Sequence, residues 1–317
     1  MRAAEKRTNS PEQKNGKKPR KKSDELLKGA FQDNFLDFLR FVYPDAQKVL
    51  DFDKGIEFLD KELFSIIPNR ERKRDKRVAD LLARVYLKNG TEKWILLNVE
   101  IEGGDDTQFA YRLLQYNYRI RDKYNVSVAT IAVFTGDKNQ KRQTNYRDEL
   151  LGTVLSFRYT SYHVFDHHQS ALLKNKNPFA LIALACQKAL LEGKIPEDDL
   201  NTQRLDIVKA LLTQNYDPDR VRSFILFIKN FIFIKDQDIN RKFDEQLETI
   251  MEGTNDREPV GVIEVLRMQA IRDAKMEERT KALEEKKEIA RNFKQNGISL
   301  DIIAKSTKLP LKLIKSL

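Results

Sequence analysis

Three acidic residues, Asp80, Glu100 and Glu102, lie in two neighbouring runs of alternating apolar residues. Residues 78–87 and 93–102 carry apolar side chains at nearly every odd-numbered position. Because successive side chains of a strand point to opposite faces, this pattern predicts two strands with the three carboxylates on one face. Clustered carboxylates at a water-filled edge are suited to a hard cation such as Mg²⁺ or Mn²⁺. The alternative is a set of ordinary polar positions on a solvated antiparallel face.

A hairpin is predicted between the two runs, because the Asn89-Gly90 dipeptide separates them and favours a tight turn. For both odd-numbered faces to enter one core, we predict that Leu81 lies opposite Val99. This register places Asp80 opposite Glu100 and requires a three-residue loop or a bulge. Like charges that face each other across two strands are destabilising, so a bound cation is the expected compensation.

The same acidic residues carry a resemblance to a known family. Asp80, followed by Glu100-Ile-Glu102 at the end of the next strand, resembles the signature of the PD-(D/E)XK nucleases, and specifically the Rpn family of recombination-promoting nucleases and transposase-like proteins. The resemblance covers most of the chain, through segments at 24–31, 58–63, 77–80, 112–124, 151–158, 177–181 and 297–317. It implies an α/β fold of the restriction-endonuclease type, with a mixed sheet flanked by helices and followed by an all-helical C-terminal region.

The family implies a metal-dependent DNA endonuclease that hydrolyses phosphodiester bonds. Asp80, Glu100 and Glu102 would then be the catalytic and metal-binding residues, with Mg²⁺ or Mn²⁺ as the cofactor. The alternative is a catalytically impaired, nuclease-like protein that binds DNA or has a regulatory role. A protein-interaction scaffold that uses the helical half is a third interpretation.

Glu102 departs from the family pattern, in which the third position is usually Lys or Gln. A lysine there would orient the attacking water and offset the charge of the phosphate, and a glutamate carries no positive charge. Three interpretations stay open. Glu102 is an additional metal ligand, a nearby cation such as Lys88 or Lys93 has taken over the role of the lysine, or the site is impaired.

A basic run directly precedes the strand that carries Asp80 and is predicted to follow a DNA backbone beside the metal. Its candidate nucleic-acid contacts are Arg72, Arg74, Lys76 and Arg77. The alternative is a flexible charged loop.

A helix is predicted from a cap at 105–107 to about Tyr124. Its apolar stripe consists of Phe109, Leu113, Tyr116 and Ile120. In the PD-(D/E)XK fold this helix packs near the site, so Arg112 and Gln115 are candidate phosphate contacts. Packing or simple solvation is the alternative for both. A buried strand is predicted next, over 126–134, and another over about 154–165.

The formal net charge of +10 favours a polyanionic partner, and DNA is the expected one. Most of this charge is local, because residues 1–22 carry nine Lys or Arg and two Glu. No stretch reads as a membrane span or as a secretory signal, which favours the cytoplasm as the expected location. The family resemblance implies a prokaryotic protein, at the nucleoid when DNA is bound.

The domain organisation is predicted from shifts in composition and periodicity. The predicted regions are a disordered basic tail at 1–22, a nuclease-like domain at 23–172, a helical region at 173–257, a long charged helix at 258–293 and a helix-turn-helix-like segment at 294–317. The C-terminal helices could contact DNA or could pair with a second copy in a homodimer.

The cysteine and the histidines favour structural roles. Cys186 is the only cysteine and lies in an apolar helix, which indicates a buried thiol that is not a nucleophile. The three histidines lie between His163 and His168, but their spacing is not that of a familiar zinc site. A strand end that runs into a polar turn is the preferred interpretation.

Overall fold

The computed structural model describes residues 20–66, 78–100, 108–214, 216–252 and 282–316. Contacts divide the chain into two compact units, residues 1–255 and 256–317. Residues 1–19, the basic run with Arg72, Arg74, Lys76 and Arg77, the acidic residue Glu102, and residues 258–281 of the predicted charged helix lie outside the described residues. Helix α1 begins at Arg20, so the last three residues of the tail predicted as disordered are helical.

The first unit is an α/β assembly. Its N-terminal half contains α1 (Arg20–Asp33), α2 (Phe35–Val42), α3 (Ala46–Val49), β1 (Glu57–Phe58), α4 (Asp60–Ile66), β2 (Val78–Tyr86), β3 (Glu92–Glu100), α5 (Phe109–Tyr124) and β4 (Val128–Phe134). Its C-terminal half contains β5 (Asn145–Leu150), β6 (Thr153–Arg158), β7 (Thr160–His163), α6 (Gln169–Lys174), α7 (Phe179–Ala189), α8 (Glu197–Leu212), α9 (Pro218–Phe231) and α10 (Gln237–Glu252).

The central sheet has five strands in the order β1-β2-β3-β4-β7. The pairs β1–β2 and β2–β3 are antiparallel, and the pairs β3–β4 and β4–β7 are parallel. Parallel neighbours need a crossover connection, and α5 provides it between β3 and β4. The predicted fold class is therefore confirmed at the level of a mixed sheet flanked by helices.

The β2–β3 hairpin has the predicted three-residue loop but not the predicted register. The backbone N–H of Leu87 donates to the carbonyl of Thr91 at 2.8 Å, which leaves residues 88–90 as the loop. Asp80 lies opposite Asn98, and Glu100 lies opposite Val78, so the prediction that Asp80 faces Glu100 is wrong by two residues. Gly90 decides the register, because its φ of +83° is the left-handed conformation that ends a loop of this kind.

Gly90 also supports a stability prediction. We expect Gly90→Ala to lower the free energy of unfolding by about 1–2 kcal/mol, since an added Cβ disfavours the left-handed conformation. Nothing lies within 4 Å of the position that this Cβ would occupy, so the loss comes from the backbone alone. Urea unfolding followed by the fluorescence of Trp94, the only tryptophan, would measure it.

Gly29 is the matched control, because it is helical and its added Cβ would also meet nothing within 4 Å. Gly29→Ala should raise the free energy of unfolding by about 0.5–1 kcal/mol. A loss of stability at Gly29, or none at Gly90, would contradict the backbone argument.

The middle of the sheet is buried on both faces. The odd-numbered residues Leu81, Ala83 and Leu97 are fully buried, as predicted. The even-numbered residues Leu82, Trp94 and Leu96 are also buried, in a cluster with residues of α4 and α5. The face that carries Asp80 and Glu100 is thus covered by helices over much of its length and is not an open solvated face.

The strand predicted over 154–165 is two strands in different sheets. β6 pairs with β5 in a separate two-stranded sheet, whereas β7 joins β4 in the central sheet. Residues of α5 contact this hairpin through the ring pair Tyr111–Tyr146, whose centroids are 5.1 Å apart. A run rich in apolar and aromatic residues does not reveal such a change of pairing partner.

The second unit contains a helix at 282–295, α11, followed by α12 (Leu300–Thr307) and α13 (Leu311–Ser316). Gly297 has a φ of +76° in the turn between α11 and α12. Ser299 is the N-cap residue of α12, and its side chain makes no capping hydrogen bond. Four side chains of this unit form its buried cluster, namely Ala290, Ile303, Leu309 and Ile314.

None of the helices that the structure describes is both long enough and apolar enough to cross a membrane.

Candidate metal and nucleic-acid site

Asp80 and Glu100 lie on adjacent strands and on the same face of the sheet. Asp80 is opposite Asn98, two residues before Glu100, so the two acidic residues are diagonal neighbours. Diagonal positions of an antiparallel pair are about 7–8 Å apart, within reach of one shared cation. Glu102 follows two residues after the end of β3, outside the described residues.

Helix α5 places its N-terminal half at this end of the sheet. Phe109 and Leu113 pack in one cluster with Ala132 and Phe134 of β4. Phe134 is paired with Glu100 in the parallel ladder. The first turns of α5 therefore lie level with the end of β3 that carries Glu100.

Arg112 and Gln115 lie in this half of α5 and are half-buried. The Arg112 guanidinium lies 5.4 Å from the centroid of the Phe109 ring. The predicted stripe of Phe109, Leu113, Tyr116 and Ile120 is buried, which confirms the predicted face of the helix. The fold thus brings both candidate phosphate contacts to the same end and face of the sheet as Asp80 and Glu100.

Lys88 and Lys93 are at the opposite end of the hairpin. Lys88 is in the turn, and Lys93 is seven residues before Glu100 on the same strand. At ~3.3 Å per residue, Lys93 is about 23 Å from Glu100. The Lys93 ammonium donates instead to the Ser127 hydroxyl at 3.4 Å. The interpretation that one of these lysines replaces the missing catalytic lysine is therefore wrong.

A second group of cations, which the sequence reasoning missed, follows the carboxyl end of β4. Lys138, Lys141 and Arg142 lie in the loop after Phe134, at the end of the sheet where Glu100 lies. Lys138 is 5.6 Å from the centroid of the Phe165 ring. Arg142 donates to Asp166 at 2.5 Å. The sequence feature that could have predicted these residues is a basic cluster directly after a buried strand. Loops at the carboxyl ends of such strands are where ligands of mixed and parallel sheets bind.

The histidine segment is a strand end that runs into a turn, which agrees with the interpretation preferred from the sequence. His163 ends β7, and its Nδ1 accepts a hydrogen bond from the Phe165 backbone at 3.1 Å. Its own backbone N–H donates to Asp166 at 2.8 Å. Burial lowers the pKa of the His163 imidazole, which favours the neutral form.

Cys186 is buried in α7, as predicted. Burial raises the pKa of its thiol to about 12, so the thiolate that a nucleophile needs is not formed near neutral pH.

Among the side chains that the structure describes, no group of three or more His, Cys, Asp or Glu residues is arranged to hold a metal. The acidic pair and Glu102 are not among those side chains, and the placement of the pair rests on backbone register.

The chain matches no family model, no curated protein and no solved structure in the comparisons. The candidate site is therefore defined by its own geometry.

Proposed function

We propose that the protein is a metal-dependent DNA endonuclease of the Rpn type, within the PD-(D/E)XK superfamily. The observation that carries the proposal is the common face of Asp80 and Glu100, at the end of the sheet where α5 begins. Two carboxylates so close on one face repel each other, and a shared cation would remove this repulsion. Their hard oxygen ligands fit Mg²⁺ or Mn²⁺.

Asp80 and Glu100 would hold the cation, and Glu102 would add a ligand or position water. A bound Mg²⁺ lowers the pKa of a coordinated water and polarises the scissile phosphate. Arg112 and Gln115 would bind the DNA backbone beside the carboxylates. Lys138 and Lys141 supply positive charge at this end, where the superfamily usually has a lysine in place of Glu102.

DNA is the proposed partner, and the basic run at 72–77 directly before β2 supports this choice. A homodimer through the C-terminal helices and a cytoplasmic, prokaryotic location belong to the same proposal.

The test is nicking of supercoiled plasmid by the full chain. We expect nicking in Mg²⁺ or Mn²⁺ and none after chelation with EDTA, because the carboxylates alone supply no Lewis acid. Re-addition of Mg²⁺ should restore nicking, which controls for damage by the chelator. Nicking that continues in EDTA would contradict the proposal.

The impaired alternative has its own observation, the glutamate at position 102. It predicts DNA binding without nicking by the natural chain, and nicking by Glu102→Lys or Glu102→Gln. DNA binding would be measured by gel shift on the same preparations. Nicking by the natural chain would exclude this alternative.

A further inference from the structure

A groove opens in the central sheet at the start of β4, away from the candidate metal site. β4 begins at Val128, but β7 joins it only from Ile131, which pairs with Thr160. The groove has a volume of about 510 Å³ and is bordered by Tyr43, by α5, by the start of β4 and by the stretch from the end of β6 to the start of β7. The groove residues of β4, Val128 to Thr130, are four to six residues from Phe134, which pairs with Glu100. This separation along the strand corresponds to about 13–20 Å.

The charge of this groove is positive. Arg121 and Arg158 line it, and its described lining contains no Asp or Glu. Arg158 is exposed at the end of β6, and none of the ion pairs found among the described residues includes it. A groove with two guanidinium groups and no carboxylate is suited to an anion of two charges.

Arg121 is held in place by uncharged groups. Its Nε donates to the Asn117 side-chain oxygen at 2.7 Å, and its Nη2 donates to the Val128 carbonyl at 3.3 Å. Asn117 is buried and is itself fixed, because its amide donates to the Val128 carbonyl at 3.1 Å and to the Thr130 hydroxyl at 2.9 Å. A guanidinium has five N–H donors, so three are left for a ligand beside these contacts.

Uncharged hydroxyl groups complete the lining. The Tyr43 hydroxyl donates to Thr160 Oγ1 at 2.9 Å, and burial raises the pKa of Tyr43, which keeps it uncharged. Ser156 adds a second hydroxyl to the same groove. Phe157 and Tyr159 add half-buried rings, whose planes are tilted by 41° and which also pack against the cluster of Phe109 and Phe134.

We propose that this groove binds the phosphate group of a nucleotide. An arginine held by two hydrogen bonds and a second, exposed arginine supply the N–H donors that recognise phosphate oxygens, and aromatic rings suit the base or sugar that accompanies the phosphate. The phosphate could belong to a free nucleotide or to a nucleic-acid backbone. The inference does not rest on the proposed nuclease activity, since it uses none of the residues of the metal site.

Isothermal titration calorimetry on the full chain would test it, with inorganic pyrophosphate, adenosine monophosphate and a short single-stranded DNA oligonucleotide as probes. We expect Arg121→Gln combined with Arg158→Gln to weaken binding about 100-fold, at about tenfold for each lost charge-assisted contact. The matched control combines Lys174→Gln with Lys209→Gln, two exposed lysines outside the groove. It removes the same charge and should change affinity less than about twofold.

Arg158→Gln alone separates binding from folding, because it leaves the Arg121–Asn117 contacts intact. It should weaken binding about tenfold and leave the temperature of thermal unfolding unchanged. Arginine-dependent binding of pyrophosphate and the monophosphate would identify a free nucleotide as the source. The same dependence with the oligonucleotide alone would identify a backbone phosphate. Equal losses in the two double variants, an unaffected Arg158→Gln, or no binding of any probe would overturn the proposal.

Discussion

Asp80→Asn should lower the rate of plasmid nicking in Mg²⁺ by about 10³-fold, which corresponds to roughly 4 kcal/mol of transition-state stabilisation. The substitution keeps the size of the side chain and removes one charged ligand. Glu100→Gln should have an effect of similar size, because the two residues are diagonal neighbours on one face and would share the cation. The measurement is the initial rate of conversion of supercoiled to open-circular DNA.

The dependence of stability on Mg²⁺ provides a second readout, which a purely structural role of Asp80 would not change. Without metal, Asp80→Asn should raise the free energy of unfolding by about 0.5 kcal/mol, because it removes a like-charge contact. With Mg²⁺ the natural chain should gain thermal stability, since the cation binds the folded state, and Asp80→Asn should gain far less. The two measurements together distinguish a metal ligand from an ordinary polar residue of the strand.

Asp122→Asn is the matched control, because Asp122 is exposed on α5. It makes the same chemical change outside the site and should leave nicking and the Mg²⁺ dependence of stability unchanged. Equal nicking by the natural chain and by Asp80→Asn would remove Asp80 and its neighbours from the mechanism.

The hairpin shows what alternation can predict. Alternation correctly places Asp80 and Glu100 on one face, since this depends only on parity. It does not distinguish registers that differ by two residues, because both keep the same residues in the core. The difference lies in the conformation of Gly90, where a φ of +83° sets the end of the loop.

The burial of the second face was also signalled in the sequence. Leu82, Trp94 and Leu96 interrupt the polar positions, and apolar residues at both parities are typical of strands covered on two sides. The helix that covers them was predicted with its correct apolar stripe. The sequence reasoning did not combine the two observations, which together place α5 over the acidic face.

The groove at the start of β4 could not be predicted from the sequence. Its residues are Tyr43 directly after α2, residues of α5 and β4, and the stretch from the end of β6 to the start of β7, and no local pattern connects them. Its opening depends on the point at which β7 joins β4, a register that only the packed sheet determines. The spacing of residues along the chain predicts a site on one hairpin better than a site assembled from segments that are distant in the sequence.

Arg204 supports the largest stability prediction, because it is an arginine with only 1% of its surface exposed. From α8 its Nη2 donates to the Lys229 carbonyl at 2.8 Å, and its Nε donates to the Ile232 carbonyl at 2.9 Å. Its Nη1 donates to the Asn240 side-chain oxygen at 2.9 Å. These carbonyls are at the C-terminal end of α9, where backbone acceptors lack partners within the helix.

The guanidinium is expected to stay charged in this position. Burial lowers its pKa to about 10, still above neutral pH, and the nearby carboxylates of Glu192, Asp244 and Glu197 oppose the shift. A positive charge at a helix C-terminus is also favourable, because it faces the negative end of the helix dipole. Arg204 thus connects α8 to the end of α9 and to α10.

We expect Arg204→Ala to lower the free energy of unfolding by about 3–5 kcal/mol, because it leaves several buried acceptors without a donor. Arg204→Lys should lose roughly half as much, since one ammonium group cannot reach all of the acceptors that the planar fork reaches. Urea unfolding should be followed both by Trp94 fluorescence in the sheet and by far-ultraviolet circular dichroism of the helices. Coincident transitions would show that the sheet and α8–α10 unfold together.

The matched control is Arg241→Ala on α10. Arg241 is exposed and pairs with Asp238 at 2.9 Å on the surface, so its loss should change stability by about 0.5 kcal/mol or less. A change of less than about 1 kcal/mol in Arg204→Ala would show that water replaces the guanidinium at the end of α9. A large loss confined to the circular dichroism signal would instead show that the helices after residue 172 unfold separately from the sheet. These measurements decide whether Arg204 makes the unfolding of the helical half of the first unit cooperative with that of the sheet that carries the candidate site.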